Sequence, residues 1–107
     1  MDTTNAPKTQ TYSKVRSIPP RQWNVVLLDD DDHTYEYVIR LAQEIFGHPV
    51  EQGFQIAKQV DKEGRAILVT THRELAELRV EQITSFGRDP LMARSKGAMT
   101  ALLEPAD

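Results

Sequence analysis

Trp23-Asn24-Val25-Val26-Leu27-Leu28, followed by Asp29-Asp30-Asp31-Asp32, is the stretch whose reading decides the fold. The first part is short, apolar and rich in strand formers, so it predicts a buried β-strand. The four aspartates stop it, because clustered Asp favours turns and helix starts. A helical pattern follows at once. Tyr35, Val38, Ile39, Ala42, Ile45 and Phe46 recur at spacings of three and four. Gly47 suits the left-handed position that closes a helix, and Pro49 lies just beyond it.

A second helix is predicted from about Val50 to Asp61, with Val50, Phe54, Ala57 and Val60 on one face. Gly53 opposes it by roughly 1 kcal/mol relative to Ala, and Gly64 ends it. Ala66-Ile67-Leu68-Val69 reads as a second strand. Thr71-His72-Arg73-Glu74 spells a capping box, in which Thr71 and Glu74 would satisfy each other's free amides. Leu75, Leu78, Ile83 and Phe86 carry a third helix towards Gly87, ahead of Asp89-Pro90. A loop through Lys96-Gly97 leads to a third strand, Met99 to Leu103. The fold class is α+β in the order β-α-α-β-α-β. Three strands alone expose one apolar face, so helices must cover it.

Outward on the other side, residues 1 to 22 are polar, contain Pro7, Pro19 and Pro20, and hold no core-forming pattern. They are expected to form a flexible arm joined to a core domain of residues 23–107, with Pro19-Pro20 stiffening the junction.

Length and composition narrow the function. A chain of 107 residues allows one domain with a modest core. Lys and Arg number 13 against 16 Asp and Glu, a net charge of −3, which disfavours a nucleic-acid partner needing a concentrated basic face. Cysteine is absent, which excludes disulfides and thiolate chemistry and fits a reducing cytoplasm. No apolar run approaches the ~18 residues of a membrane span, and Met1 to Ala6 shows no secretory pattern. No membrane partner is expected.

Motifs for catalysis are missing. The sequence holds no phosphate-binding glycine loop and no nucleophile elbow around Ser85. His33, His48 and His72 fall at helix starts or turns, where surface placement is the default, and none has a ligand partner at i+4. Asp29 to Asp32 admits two readings. One is a solvated loop whose last members cap the helix behind it. The other is a cation site for an ammonium group or a divalent metal. Calcium fits less well, because Glu36 comes too early for an EF-hand and no Gly intervenes. Val38, Ala57, Val60 and Met99 are by default core.

Taken in order, these residues resemble a family. Pro19-Pro20 followed by Trp23 to Asp31 is similar to the ClpS opening, an aromatic-led strand running into Asn-Asp-Asp. Glu36-Tyr37-Val38-Ile39, Gly64-Arg65-Ala66-Ile67, Glu74 to Val80 and Leu103-Glu104 each resemble a later ClpS stretch. The likeness runs from about 23 to 104, with a longer loop after Arg88. It implies a three-stranded antiparallel sheet on three helices. It also implies a non-catalytic adaptor without cofactors or metal, which binds proteins beginning with Leu, Phe, Tyr or Trp (N-degrons) and hands them to a ClpA-type unfoldase and its ClpP peptidase.

The resemblance also assigns roles. Asp29 and Asp30 fall where the family holds the substrate's α-ammonium, with Asp29 in place of Asn. Asp61 stands where the family has an ammonium-binding His. Asp31, His33, Tyr35, Val38, Ala57, Val60 and Met99 fall on the side-chain pocket; of these His33 replaces Thr, Tyr35 replaces the Met gate, Ala57 replaces Met and Met99 replaces Leu. Glu74 and Arg79 fall on the unfoldase-facing positions. The carboxylates at 29 and 61 suit an ammonium, since unit charges ~4 Å apart gain on the order of 4 kcal/mol at an effective dielectric of ~20 before desolvation. Crowded like charges can instead raise one carboxylate's pKa. Ala57 predicts a wider pocket that also admits Ile or Val, which Tyr35 opposes. Two alternatives stay open beside the N-degron adaptor. One is a module that binds and modulates the unfoldase without N-degron recognition. The other is a binder of divalent or other cationic ligands.

Overall fold

The computed structural model describes residues 20–106. Six elements follow the expected order: β1 (Trp23–Leu28), α1 (Tyr35–Phe46), α2 (Val50–Glu63), β2 (Arg65–Thr71), α3 (Arg73–Thr84) and β3 (Ala101–Pro105). The arm expected over residues 1 to 22 lies, through residue 19, outside the described residues.

The three strands form one antiparallel sheet in the order β2-β1-β3. The central place of β1 explains its composition. Val25, Val26 and Leu27 are fully buried. Val25 and Leu27 point into the main core with Leu41, Ala42, Ile56, Leu68, Ala76 and Ile83. Val26 takes the other face, flanked by Ile67 on β2 and Leu102 on β3, both of which stay exposed. The helices therefore cover one face of the sheet. Between Val25 and Val26 the β1–β2 register slips, with Val25 opposite Val69 and Val26 opposite Ile67. The extra residue, Leu68, is buried, and both it and Val69 pack on the core side.

Glycine geometry fixes the helix pair. Gly47 ends α1 at φ 72°, and its amide reaches back to α1 carbonyls. Gly53 sits inside α2 because α1 passes there. A Cβ on Gly53 would lie 3.1 Å from the Ile39 Cα. The cost of glycine in a helix is met by this close approach.

Several local expectations are corrected. The N-cap of α1 is Thr34, whose hydroxyl accepts from the Tyr37 amide; the aspartates before it do not cap. The capping box at Thr71 and Glu74 does not form. Thr71 ends β2, the N-cap is His72, and no side chain caps α3. In α2 the buried stripe is Gly53, Ile56, Ala57 and Val60, while Val50 and Phe54 are exposed. Helix α2 runs on to Glu63, and α3 stops at Thr84 rather than at Gly87. Strand β3 starts at Ala101, so Met99 precedes it.

Candidate functional site

The end of β1 is held from both sides. The Leu28 amide donates to the Thr100 carbonyl and the Asp29 amide to the Gly64 carbonyl, each at 3.0 Å. Asp29 is thereby fixed between the close of α2 and the approach to β3. Its carboxyl is exposed, yet its pKa lies above the ordinary value. Partial desolvation is the largest cause, and the charges of Asp61, Asp30 and Asp31 push the same way against a hydrogen bond from the Asp30 amide. The structure therefore brings Asp29, Asp30, Asp31 and Asp61 into one electrostatic neighbourhood, although Asp61 comes from α2.

Asp30 is the best-tied member. Its Oδ1 accepts from the Asp32 amide at 2.9 Å and lies 2.8 Å from the His33 Nδ1. The other ring nitrogen of His33 reaches the Gly97 carbonyl at 2.8 Å. The His33 side chain is only 4% exposed, so the surface placement expected from sequence is wrong for it. Burial is possible because both nitrogens have partners and the ring packs 4.5 Å from that of Tyr37. Asp31 stays exposed, but its carbonyl accepts from Arg94 at 2.6 Å, and Arg94 also pairs with Asp32 at 3.1 Å.

Behind the acidic loop lies the apolar part. Val38, Ala57, Val60 and Met99 are 2–4% exposed and belong to one core cluster, with Tyr35 packed against it. Of the residues assigned to the pocket from sequence, these four lie in the buried core, Tyr35 packs against it, and Asp31 stays exposed. Tyr35 donates its hydroxyl to Asp61 Oδ2 at 2.9 Å, and its ring meets Phe54 edge-on at 5.8 Å. Its phenol pKa is raised, first by that hydrogen bond and then by desolvation. Glu74 and Arg79 lie apart from this cluster, on α3. Glu74 is exposed, and Arg79 hydrogen-bonds Gln82 at 2.9 Å and lies over Phe46.

Sequence reasoning missed Asp89. Its side chain is buried in the loop between α3 and β3, and it ties that loop to the start of α1. Oδ2 accepts from the Thr34 amide at 2.6 Å and the Thr34 hydroxyl at 2.8 Å. Oδ1 accepts from the Leu91 amide, and the Asp89 amide donates to Ser95 Oγ, both at 2.8 Å. Asp89-Pro90 reads as a helix stop in the sequence, which hides this anchoring role.

Among the described residues no group of three or more His, Asp or Glu side chains is placed to hold a metal ion. No described helix is long and apolar enough to cross a membrane.

Fold and site together define a small α+β module with an acidic loop at the end of its central strand and a buried apolar core. Comparison with known proteins narrows that class. Residues 18–94 match the family model described as ATP-dependent Clp protease adaptor protein ClpS. The ClpS adapter of Paraburkholderia phymatum is 37% identical over 70 residues, which cover 65% of this chain and 67% of that protein. That of Vibrio cholerae is 35% identical over 71 residues, covering 66% and 67%. The chain belongs to the ClpS family, adaptors of the ATP-dependent Clp protease. A solved structure, Agrobacterium tumefaciens ClpS2 bound to L-phenylalaninamide, matches with a TM-score of 0.70 over 81% of this chain and 99% of that one, at 24% identity. That likeness is one of fold.

Proposed function

We propose that this adaptor binds the free N-terminal residue of substrate proteins and delivers them to a ClpA-type AAA+ unfoldase in the cytoplasm. The observation that carries the reading is the meeting of Asp29 and Asp61. The Asp29 amide is tied to the Gly64 carbonyl at the close of α2, the helix that carries Asp61 in its last turn, and Asp61 holds the hydroxyl of Tyr35, which packs against the core cluster that includes Val38, Ala57, Val60 and Met99. An α-ammonium offers three donors and a charge to such a pair of carboxylates. The first side chain then enters the apolar region. The relative bound to L-phenylalaninamide supports this reading, since that ligand joins a free amine to an aromatic side chain. Leu, Phe, Tyr and Trp are the proposed first residues, with Ile and Val admitted more weakly. Asp29 and Asp61 take the ammonium directly. Asp30, already engaged by His33 and the Asp32 amide, offers its remaining oxygen lone pairs.

The experiment compares Leu- and Phe-initiated peptides with free and acetylated N-termini. The free forms bind and the acetylated forms do not. Asp30→Ala loses the affinity while staying folded. Equal binding of both peptide forms refutes the reading and leaves the unfoldase-modulating module in its place.

A further inference from the structure

The antiparallel register of α1 and α2 has one close crossing, Ile39 against Gly53. One helical turn back along α1 is Tyr35, and one turn on along α2 is Ala57, so these two residues face each other. The contacts of Tyr35 agree. Its ring touches Phe54, one turn before Ala57, and its hydroxyl reaches Asp61, one turn after. The ring therefore lies lengthwise over the face of α2 on which Ala57 stands. Ala57 is 2% exposed although its side chain is a single methyl group. A ring held between Phe54 and Asp61 is placed to fill the room left by that small residue.

Asp61 consequently has two claimants. It holds the Tyr35 hydroxyl, and it is one of the two carboxylates facing the proposed ammonium site. We infer that Tyr35 and Asp61 form an amine-operated latch: an arriving α-ammonium draws Asp61 away from Tyr35, and the released ring uncovers Ala57 for the incoming side chain. The inference rests on the reading of Asp61 as an ammonium ligand for its second half only. The ring over Ala57 stands on geometry alone.

The charges favour such an exchange. A carboxylate accepts more strongly from a cation than from a neutral phenol. Asp29, crowded by Asp61, also gains when a positive charge enters between them. On its free side the ring is restrained only by the edge contact with half-exposed Phe54. Loss of the hydroxyl bond leaves it held by that edge contact and by its packing against the core cluster, with no polar tie at its tip. Coupled in this way, the pocket opens for a free N-terminus and stays covered against an internal apolar side chain, which carries no ammonium.

The chain contains no cysteine, so Ala57→Cys places a single thiol under the ring. Its rate of reaction with a soluble disulfide reagent reports how often the ring lifts. Thiol labelling should be slow in Ala57→Cys and roughly tenfold faster when Tyr35→Phe is added, the factor expected from one hydrogen bond to a carboxylate. Glycinamide, a free amine with no side chain to fill the pocket, should speed labelling of Ala57→Cys in a saturable way. N-acetylglycinamide should have no effect, and glycinamide should do nothing further once Tyr35→Phe is present. Equal labelling rates with and without Tyr35→Phe overturn the latch. A latch that responds to Tyr35→Phe but not to glycinamide overturns the coupling to the amine. Neither result depends on the peptide comparison that tests N-terminal recognition, so the two failures are distinguishable.

Discussion

Asp89 takes both the amide and the hydroxyl of Thr34 on one carboxylate oxygen, at 2.6 and 2.8 Å, and so fixes the loop after α3 to the first turn of α1. Thr34 in turn caps α1 through the Tyr37 amide. A buried carboxylate with several donors and a helix N-terminus nearby is a strong anchor. Asp89→Ala is expected to destabilise the domain by about 2–3 kcal/mol, an order of magnitude drawn from capping and charged hydrogen bonds. The carboxylate also sets an acid limit. Burial pushes its pKa up, but the amides of Leu91 and Thr34, the Thr34 hydroxyl and neighbouring His33 together hold it below the ordinary 3.8. A depressed folded-state pKa contributes stability above the unfolded value and loses it as pH falls through the folded one. Denaturant midpoints should therefore fall steeply as pH drops below 3.8. In Asp89→Asn the curve starts lower at neutral pH and falls less. Parallel curves for the two proteins would remove Asp89 from this account.

His33 joins two loops that are far apart in sequence, Asp30 on one side and Gly97 on the other. Removing it should loosen the second loop more than the sheet, because β1 is held by its two neighbours. In His33→Ala, amide hydrogen exchange is expected to speed up across residues 94–98 and stay slow in β1. Arg94→Ala is the contrast. Its pair with Asp32 is exposed at both ends, so stability should change by less than about 1 kcal/mol. Unchanged exchange in His33→Ala would mean that Asp89 holds the loop alone.

The elements were legible from sequence where the pattern was periodic. The strand ending at Leu28, the helix closed by Gly47 and the short strand after Gly64 all fall where the pattern places them, although the buried stripe of α1 is Tyr37, Val38, Leu41 and Ala42, shifted from the expected Tyr35, Val38, Ile39, Ala42, Ile45 and Phe46. Boundaries set by side-chain hydrogen bonds were not. Thr34 is hidden behind four aspartates that are all good caps by type. Thr71 and Glu74 have the spacing of a capping box, yet sheet pairing with Trp23 keeps Thr71 in β2. On α2, Phe54 looks like core because it is aromatic. It is exposed because Gly53 occupies the contact with α1 and turns Phe54 to the side. The acidic loop was visible as a cluster. Its ties to the later loop, through His33 to Gly97 and Thr34 to Asp89, depend on contacts that span much of the chain.

Delivery should separate from peptide binding. Glu74 is exposed on α3 and lies outside the hydrophobic core. Glu74→Arg, and deletion of residues 2–17, are each expected to leave peptide affinity within about twofold, since Glu74 is an exposed residue of α3 and residues 2–17 hold no core-forming pattern in the sequence. Both should slow degradation of a Leu-initiated reporter by the matching Clp protease. Arg79→Glu should act in the same direction, with a small added loss of stability from its place over Phe46. The check is a degradation assay run beside a binding titration on the same proteins. Normal degradation after the deletion would take the arm out of delivery.

Ala57 and Tyr35 should behave as one packing unit. Ala57→Met adds a long side chain at a position 2% exposed in the core against which Tyr35 packs. Overpacking of this kind typically costs about 1–3 kcal/mol. Tyr35→Ala alone leaves the methyl of Ala57 uncovered and forfeits the ring's contacts with Phe54 and Asp61. Together the two substitutions exchange the volumes, since the Met side chain can enter the space the ring vacates, and Met adapts well to irregular gaps. The pair should therefore be less destabilised than the sum of the single changes, with a coupling of about 1 kcal/mol or more in a double-mutant cycle. The same variants read the pocket. Tyr35→Ala opens room beside Ala57 near the entry, where a side chain broad at Cβ must pass. Ile- and Val-initiated peptides should gain on Leu in Tyr35→Ala, and lose that gain when Ala57→Met is added. One methylene is worth ~1–3 kcal/mol at most, so the preference should be graded. Strictly additive stabilities would place the ring elsewhere than over Ala57.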